Sequence, residues 1–234
     1  MSIDSIAARF ARDTADHQMT VLHNDGLYRH LRYRHAPTDG RRGHSMYWFD
    51  LITVPGSLIF RGDGESYVFS RDEDMIAFFR GSAWRGKPNV HYWAEKVTDG
   101  RDRLKVYDED LFVQFVKEQF VETARYGGGV PPGTGKALLA SAEDYDLAYE
   151  ENAREFLDDF EHKGFRFEDT WEWDFKDYDW WFLWALHAIL WGIARFDGVE
   201  RPAVPAEAAA VPASPAPSMA PAFVDVQLPT ADVP

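Results

Sequence analysis

The side chains best suited to chemistry are carboxylates, arginines and histidines, and they fall into a few groups along the chain. Asp50 sits in residues 47–54, a run otherwise largely apolar, so its carboxylate must be held by a hydrogen bond or tuned for function. His30, Arg32 and Arg34 alternate with Leu31 and Tyr33; on a strand they share one face and could together grip a phosphate or a carboxylate. The competing use for these arginines is pairing with acidic residues of the same chain, which the overall charge favours. His91, Tyr92 and Glu95 could lie on one face of a short helix and do acid/base work, although no nucleophile stands near them.

A second group is acidic. Between Glu143 and Asp179 there are 15 acidic residues against four basic ones, a local charge of −11. Carboxylates aligned on one strand face, Glu168, Glu172 and Asp174, could bind a hard cation such as magnesium or calcium. A dense negative surface interleaved with aromatics could instead mimic DNA and dock on a basic protein, with Glu168, Glu172, Asp174 and Asp177 as the contacts. The third use is a solvated face that keeps the chain in solution.

Two further patterns are incomplete. Residues 130–137 resemble a phosphate-binding loop, but Val130 stands at the first glycine and Ala137 at the hydroxyl position, and a helix rather than a strand precedes them. A Gly/Pro-rich loop is expected there. Trp180, Trp184, His187 and Trp191 form one helical stripe that could cage a cationic ligand or fill a core. No His-Glu-x-x-His pattern occurs, and no cofactor or metal site is implied.

The elements that must position these residues follow from periodicity and turn chemistry. Residues 19–23 and 27–34 flank Asn24, Asp25 and Gly26 in a hairpin pattern. Residues 47–54, 58–61 and 67–70, separated by Pro55-Gly56 and Gly62-Asp63-Gly64, extend it into an antiparallel meander. Ser70 and Glu73 form a capping-box pattern ahead of a short helix carrying Met75, Ile76, Phe78 and Phe79. Helices are expected over 108–126, ended by Gly127, and over 141–162, burying Tyr149, Ala153, Phe156, Leu157 and Phe160. Aromatics then alternate with polar residues over 165–176, which predicts a strand with one wet face, and a final helix over 177–196 follows.

The whole chain has 234 residues, no cysteine and a formal charge of −14. Such a surface opposes direct binding of nucleic acid, and folding without disulfides suits a reducing cytoplasm. The uncharged stretch 180–194 would span only about 22 Å as a helix, against about 30 Å of bilayer hydrocarbon, so no membrane segment is expected. From residue 198 the composition shifts to Ala, Pro, Val and Ser, the composition of a disordered tail. One globular domain over 1–197 and a tail over 198–234 are expected.

Residues 9–17 (Arg-Phe-Ala-Arg-Asp-Thr-Ala-Asp-His), 47–64 (Tyr-Trp-Phe-Asp-Leu-Ile-Thr onward) and 165–192 resemble an uncharacterised family of proteins from bacteriophages and from actinobacterial genomes and mobile elements. The resemblance covers most of residues 7–197. It implies a setting, an accessory protein inside a bacterial cell, and no activity or catalytic residue. The combined expectation is an α+β fold, an antiparallel meander sheet packed against several helices. Its expected function is non-enzymatic binding of a host protein with a basic surface. The alternative is a divalent-metal-dependent enzyme or small-ligand-binding protein using Asp50, Arg32, Arg34, His91 and Glu95.

Overall fold

The computed structural model describes residues 3–35, 46–83, 86–126 and 129–198. The expected disordered tail from residue 199 on, and the helix-ending Gly127, lie outside the described residues.

A helix, α1 (Ile3–Asp13), leads into a meander of five strands: β1 (His17–Asp25), β2 (Tyr28–His35), β3 (Phe49–Val54), β4 (Ser57–Gly62) and β5 (Tyr67–Ser70). Each pairs antiparallel with the next, and β6 (Val97–Asp99) adds a sixth strand beside β5. The turns are chemically specified. Gly26, at φ +58°, and Leu27 join β1 to β2, so Asn24 and Asp25 belong to the strand rather than the turn. Pro55 and Gly56, the latter at φ +81°, join β3 to β4, with proline presetting one dihedral and glycine accepting the positive one.

Alternation along the strands divides the sheet into two unlike faces. Leu31, Tyr33, Phe49, Leu51, Leu58, Phe60, Tyr67 and Phe69 are buried on one face. Against it pack α1, α2 (Met75–Ser82), α3 (Val90–Ala94) and the closing helix α7 (Trp180–Gly198), in one hydrophobic core. The helix α7 is apolar nearly all round and lies close to the sheet: the Tyr33 hydroxyl donates to the Gly192 carbonyl at 2.8 Å. A Cβ at Gly192 would stand 2.9 Å from Leu51. The opposite face carries Thr20, His30, Arg32, Arg34, Asp50 and Arg61, and all but Asp50 are at least partly exposed.

Between β6 and α7 the chain builds a second, separate core. The short strand β7 (Lys105–Tyr107) pairs antiparallel with β8 (Lys176–Tyr178), and everything between them forms a helical lobe. Its helices α4 (Glu109–Tyr126), α5 (Thr134–Ala142) and α6 (Glu150–Asp159) bury Phe112, Val116, Leu138, Ala153, Phe156 and Leu157. The lobe is therefore an insertion whose two ends run side by side in a ribbon.

Most corrections to the sequence expectations fall in this lobe. Of residues 165–176 only Lys176, the first residue of β8, is in a strand: Asp169 adopts φ +54°, a 3-10 turn spans Thr170–Glu172, and Trp171 is 74% exposed. The alternating aromatics reach the helices instead. Phe165 meets Phe120 at 6.0 Å, Trp173 meets Phe115 at 5.1 Å, and Phe175 meets Phe112 at 5.0 Å between ring centroids. A strand also needs a partner edge, and β7 supplies only three residues of it. The single helix expected over 141–162 is only Glu150–Asp159, with Tyr149 exposed, while α5 occupies part of the expected Gly/Pro loop. The N-cap of α2 is Asp74, whose Oδ1 accepts from the Ile76 and Ala77 amides. Ser70 instead donates to the Gly56 carbonyl. Among the described residues, no helix is long and apolar enough to cross a membrane.

Candidate functional site

Asp50 is one residue out of phase with the core positions Phe49 and Leu51, so it projects onto the uncovered sheet face. Strand register puts Arg32 and Arg61 directly opposite it on the two neighbouring strands. Arg32 donates in a fork, Nε to Oδ1 at 2.9 Å and Nη2 to Oδ2 at 3.0 Å. Arg61 Nε donates to Oδ2 at 3.1 Å, and His30 Nε2 lies 2.9 Å from the same oxygen. The carboxylate is fully buried although, among the described residues, no helix covers it; these three side chains roof it.

The electrostatics follow from that roof. Burial pushes the Asp50 carboxyl upward, but the hydrogen bonds from Arg32 and His30 outweigh it, and its pKa lies below the usual carboxylate value. The hydrogen bond to Asp50 likewise raises the Arg32 guanidinium. A carboxylate with low proton affinity and three donors is a poor general base. Asp50 instead holds cationic groups in fixed positions on an open face. Arg61 also lies 5.6 Å from the Trp48 ring, an arrangement of cation over aromatic face. Arg34, one strand repeat beyond Arg32, is exposed and has no ion pair among the described residues.

Of the residues nominated from sequence, the structure thus brings Asp50 and Arg32 into contact and sets Arg34 beside them on the same face. Arg61 and Trp48 went unnoticed. The signal for Arg61 existed, since counting outward from the two-residue turn at Pro55-Gly56 places it opposite Asp50. His91 and Glu95 form a separate pair: Nε2 and Oε1 are 3.6 Å apart, both side chains are largely solvated, and His91 Nδ1 lies 3.3 Å from the Tyr178 hydroxyl. Their helix α3 packs on the covered side of the sheet, away from the Asp50 face.

The acidic residues do not share a strand face. Asp174 accepts from the Lys176 amide and Asp177 from the Tyr178 amide, while Glu168 and Glu172 are exposed around the 3-10 turn. What gathers there is different from the expectation. Trp171 projects into solvent beside a cleft of about 370 Å³ whose lining includes Asp158, Arg166, Glu168 and Asp169. No group of three potential metal-ligating side chains occurs among the described residues.

The remaining patterns are structural. In the loop-like segment, Gly133 at φ +90° opens α5, and Thr134 Oγ1 donates to the Pro131 carbonyl while also lying 2.9 Å from His162 Nδ1. Phe10 of α1 packs against the α7 stripe, meeting Trp184, His187 and Trp191 at 5.0, 6.2 and 5.8 Å, and Arg9 lies over Trp180, so the described residues of α1 occupy the stripe. Against family models, curated proteins and solved structures alike, the chain finds no match.

Proposed function

We propose that the protein is a non-enzymatic binding module whose acidic, aromatic-rich helical lobe docks on a protein with a basic surface. The observation that carries this reading is Trp171, 74% exposed, which lines one cleft with three carboxylates, Asp158, Glu168 and Asp169, and a single cation, Arg166. An exposed tryptophan costs solvation and adds nothing to the core, yet it is the residue type that most often anchors an interface. Carboxylates around it suit lysine and arginine, both by charge and by cation–π contact with the indole. The lobe, residues 106–177, has 19 acidic and seven basic residues, which opposes direct contact with a nucleic-acid backbone. In the phage-associated cytoplasmic setting that the sequence resemblance implies, the partner is a host nucleic-acid-binding protein.

The test is affinity capture from bacterial lysate with the full chain and with Trp171→Ala and Glu168→Ala/Glu172→Ala/Asp174→Ala variants. A basic protein retained by the wild type, released by moderate salt and retained about ten-fold less by Trp171→Ala, is expected. Equal retention by all variants would count against the lobe as the docking surface.

A further inference from the structure

The roofed carboxylate on the open sheet face is the other place where charge has been organised without an evident structural need. A sheet face turned to water could satisfy its strands with neutral polar residues. Here one buried aspartate is instead bonded by two arginines and a histidine, with Arg34 exposed on the same face, and the balance is uneven. With His30 neutral, Arg32, Arg34, Arg61 and Asp50 sum to +2, in a chain whose formal charge is −14.

Asp50 does not use all the guanidinium donors of these partly exposed arginines. Asp50 takes Nε and Nη2 of Arg32 and Nε of Arg61. One terminal nitrogen of Arg32, both of Arg61 and the whole guanidinium of Arg34 are therefore not engaged with Asp50. The Arg61 side chain is 46% exposed. Anchoring a guanidinium by its Nε edge removes the rotamer freedom that a flexible arginine loses on binding, so the outer edge is preorganised for a second oxyanion. Trp48, the residue before β3, stands beside Arg61, which provides an aromatic surface next to the charge.

We propose that this face is a binding site for a phosphoryl dianion, held by the outer edges of Arg32, Arg34 and Arg61 with Asp50 as their internal anchor. A phosphomonoester carries about −1.5 to −2 at neutral pH, which matches the excess charge of the cluster. A polyanion would not be tolerated equally, because its further charges would meet the negative field of the rest of the chain. The group could reach the site as free phosphate or on a nucleoside monophosphate, whose base would lie on Trp48.

The experiment follows the side-chain Nε–Hε resonances of Arg32 and Arg61 and the indole resonance of Trp48 in the isotopically labelled full chain. Inorganic phosphate and adenosine monophosphate are titrated separately, with chloride holding the ionic strength constant. Saturable shifts of the arginine resonances with either probe support the site. Saturation with phosphate identifies the free ion as a sufficient ligand, and saturation only with the nucleotide, accompanied by a Trp48 shift, identifies the ester. Arg34→Ala leaves the Asp50 cluster whole and so tests binding without disturbing the sheet; it and Arg61→Ala should each weaken binding about ten-fold, the worth of one charge-assisted hydrogen bond. Trp171→Ala should leave the midpoint unchanged, which keeps this site separable from the docking lobe. Shifts that do not saturate with either probe, or midpoints unaffected in both arginine variants, would overturn the proposal.

Discussion

At the scale of single residues, Asp50 decides most about the outward sheet face. Replacing it with Asn keeps an oxygen acceptor and removes the charge that orients Arg32, Arg61 and His30. Because the arginines are partly exposed and water can take over their donors, Asp50→Asn should cost about 2 kcal/mol rather than the larger penalty of a sealed pair. The pH dependence has a definite sign. The folded carboxyl titrates below its ordinary value of 3.8, so its contribution is complete above that value and is lost as pH falls through the lower folded value. Melting temperatures from pH 7 down to pH 3 check this: the gap between wild type and Asp50→Asn should be constant at first and then narrow at the acid end. A gap that widened on acidification would mean that Asp50 is neutral in the fold.

At the scale of elements, the helix starts and close approaches show where local pattern meets tertiary demand. Asp74 is both the N-cap of α2 and the partner of Arg29, which reaches across from β2 at 3.0 and 3.1 Å. Asp74→Ala should therefore destabilise the protein by about 1–2 kcal/mol, measured by denaturant unfolding, whereas Glu73→Ala, at the position of the sequence-level capping box, should have little effect. Gly192 is the corresponding control point of α7. Alanine is the better helix former, but a methyl there would press on Leu51 and on the Tyr33 ring at 2.9 and 3.1 Å. Gly192→Ala should lower the melting temperature despite its favourable propensity, because overpacking by one methyl costs about 1–3 kcal/mol.

At the scale of the whole molecule, charge and topology divide in the same place. Residues 1–105 have 16 basic and 14 acidic residues, whereas residues 106–177 hold 19 acidic and seven basic. The near-neutral part builds the sheet and the acidic part builds the inserted lobe. Lys105 and Tyr178 are opposite one another in the ribbon, so the lobe can be cut out where its ends already meet. Replacing residues 106–177 with a short Gly/Ser turn should leave a chain that unfolds cooperatively and keeps its near-ultraviolet tryptophan signal from Trp181 and Trp184. A non-cooperative melt would show that the sheet core depends on the lobe.

The sheet was legible from residues alone because its determinants are local. The Pro55-Gly56 turn fixes register, Asn24-Asp25-Gly26 marks the first hairpin although its turn falls at Gly26-Leu27, and alternation then sends Leu31, Tyr33, Phe49 and Leu51 one way and Arg32 and Asp50 the other. The lobe was not legible for the opposite reason. The aromatic alternation of 165–176 matches a strand, but a strand exists only where another edge is present to take its backbone hydrogen bonds. Here α4 and α6 offer side-chain faces instead. Tertiary structure alone decided that Trp171 leaves the core while Phe175 enters it. It also decided that Phe10 of α1 plugs the tryptophan stripe of α7, a contact between opposite ends of the described chain. Local chemistry writes turns, caps and alternation into neighbouring residues; which face meets which depends on surfaces that come together only when the chain has folded.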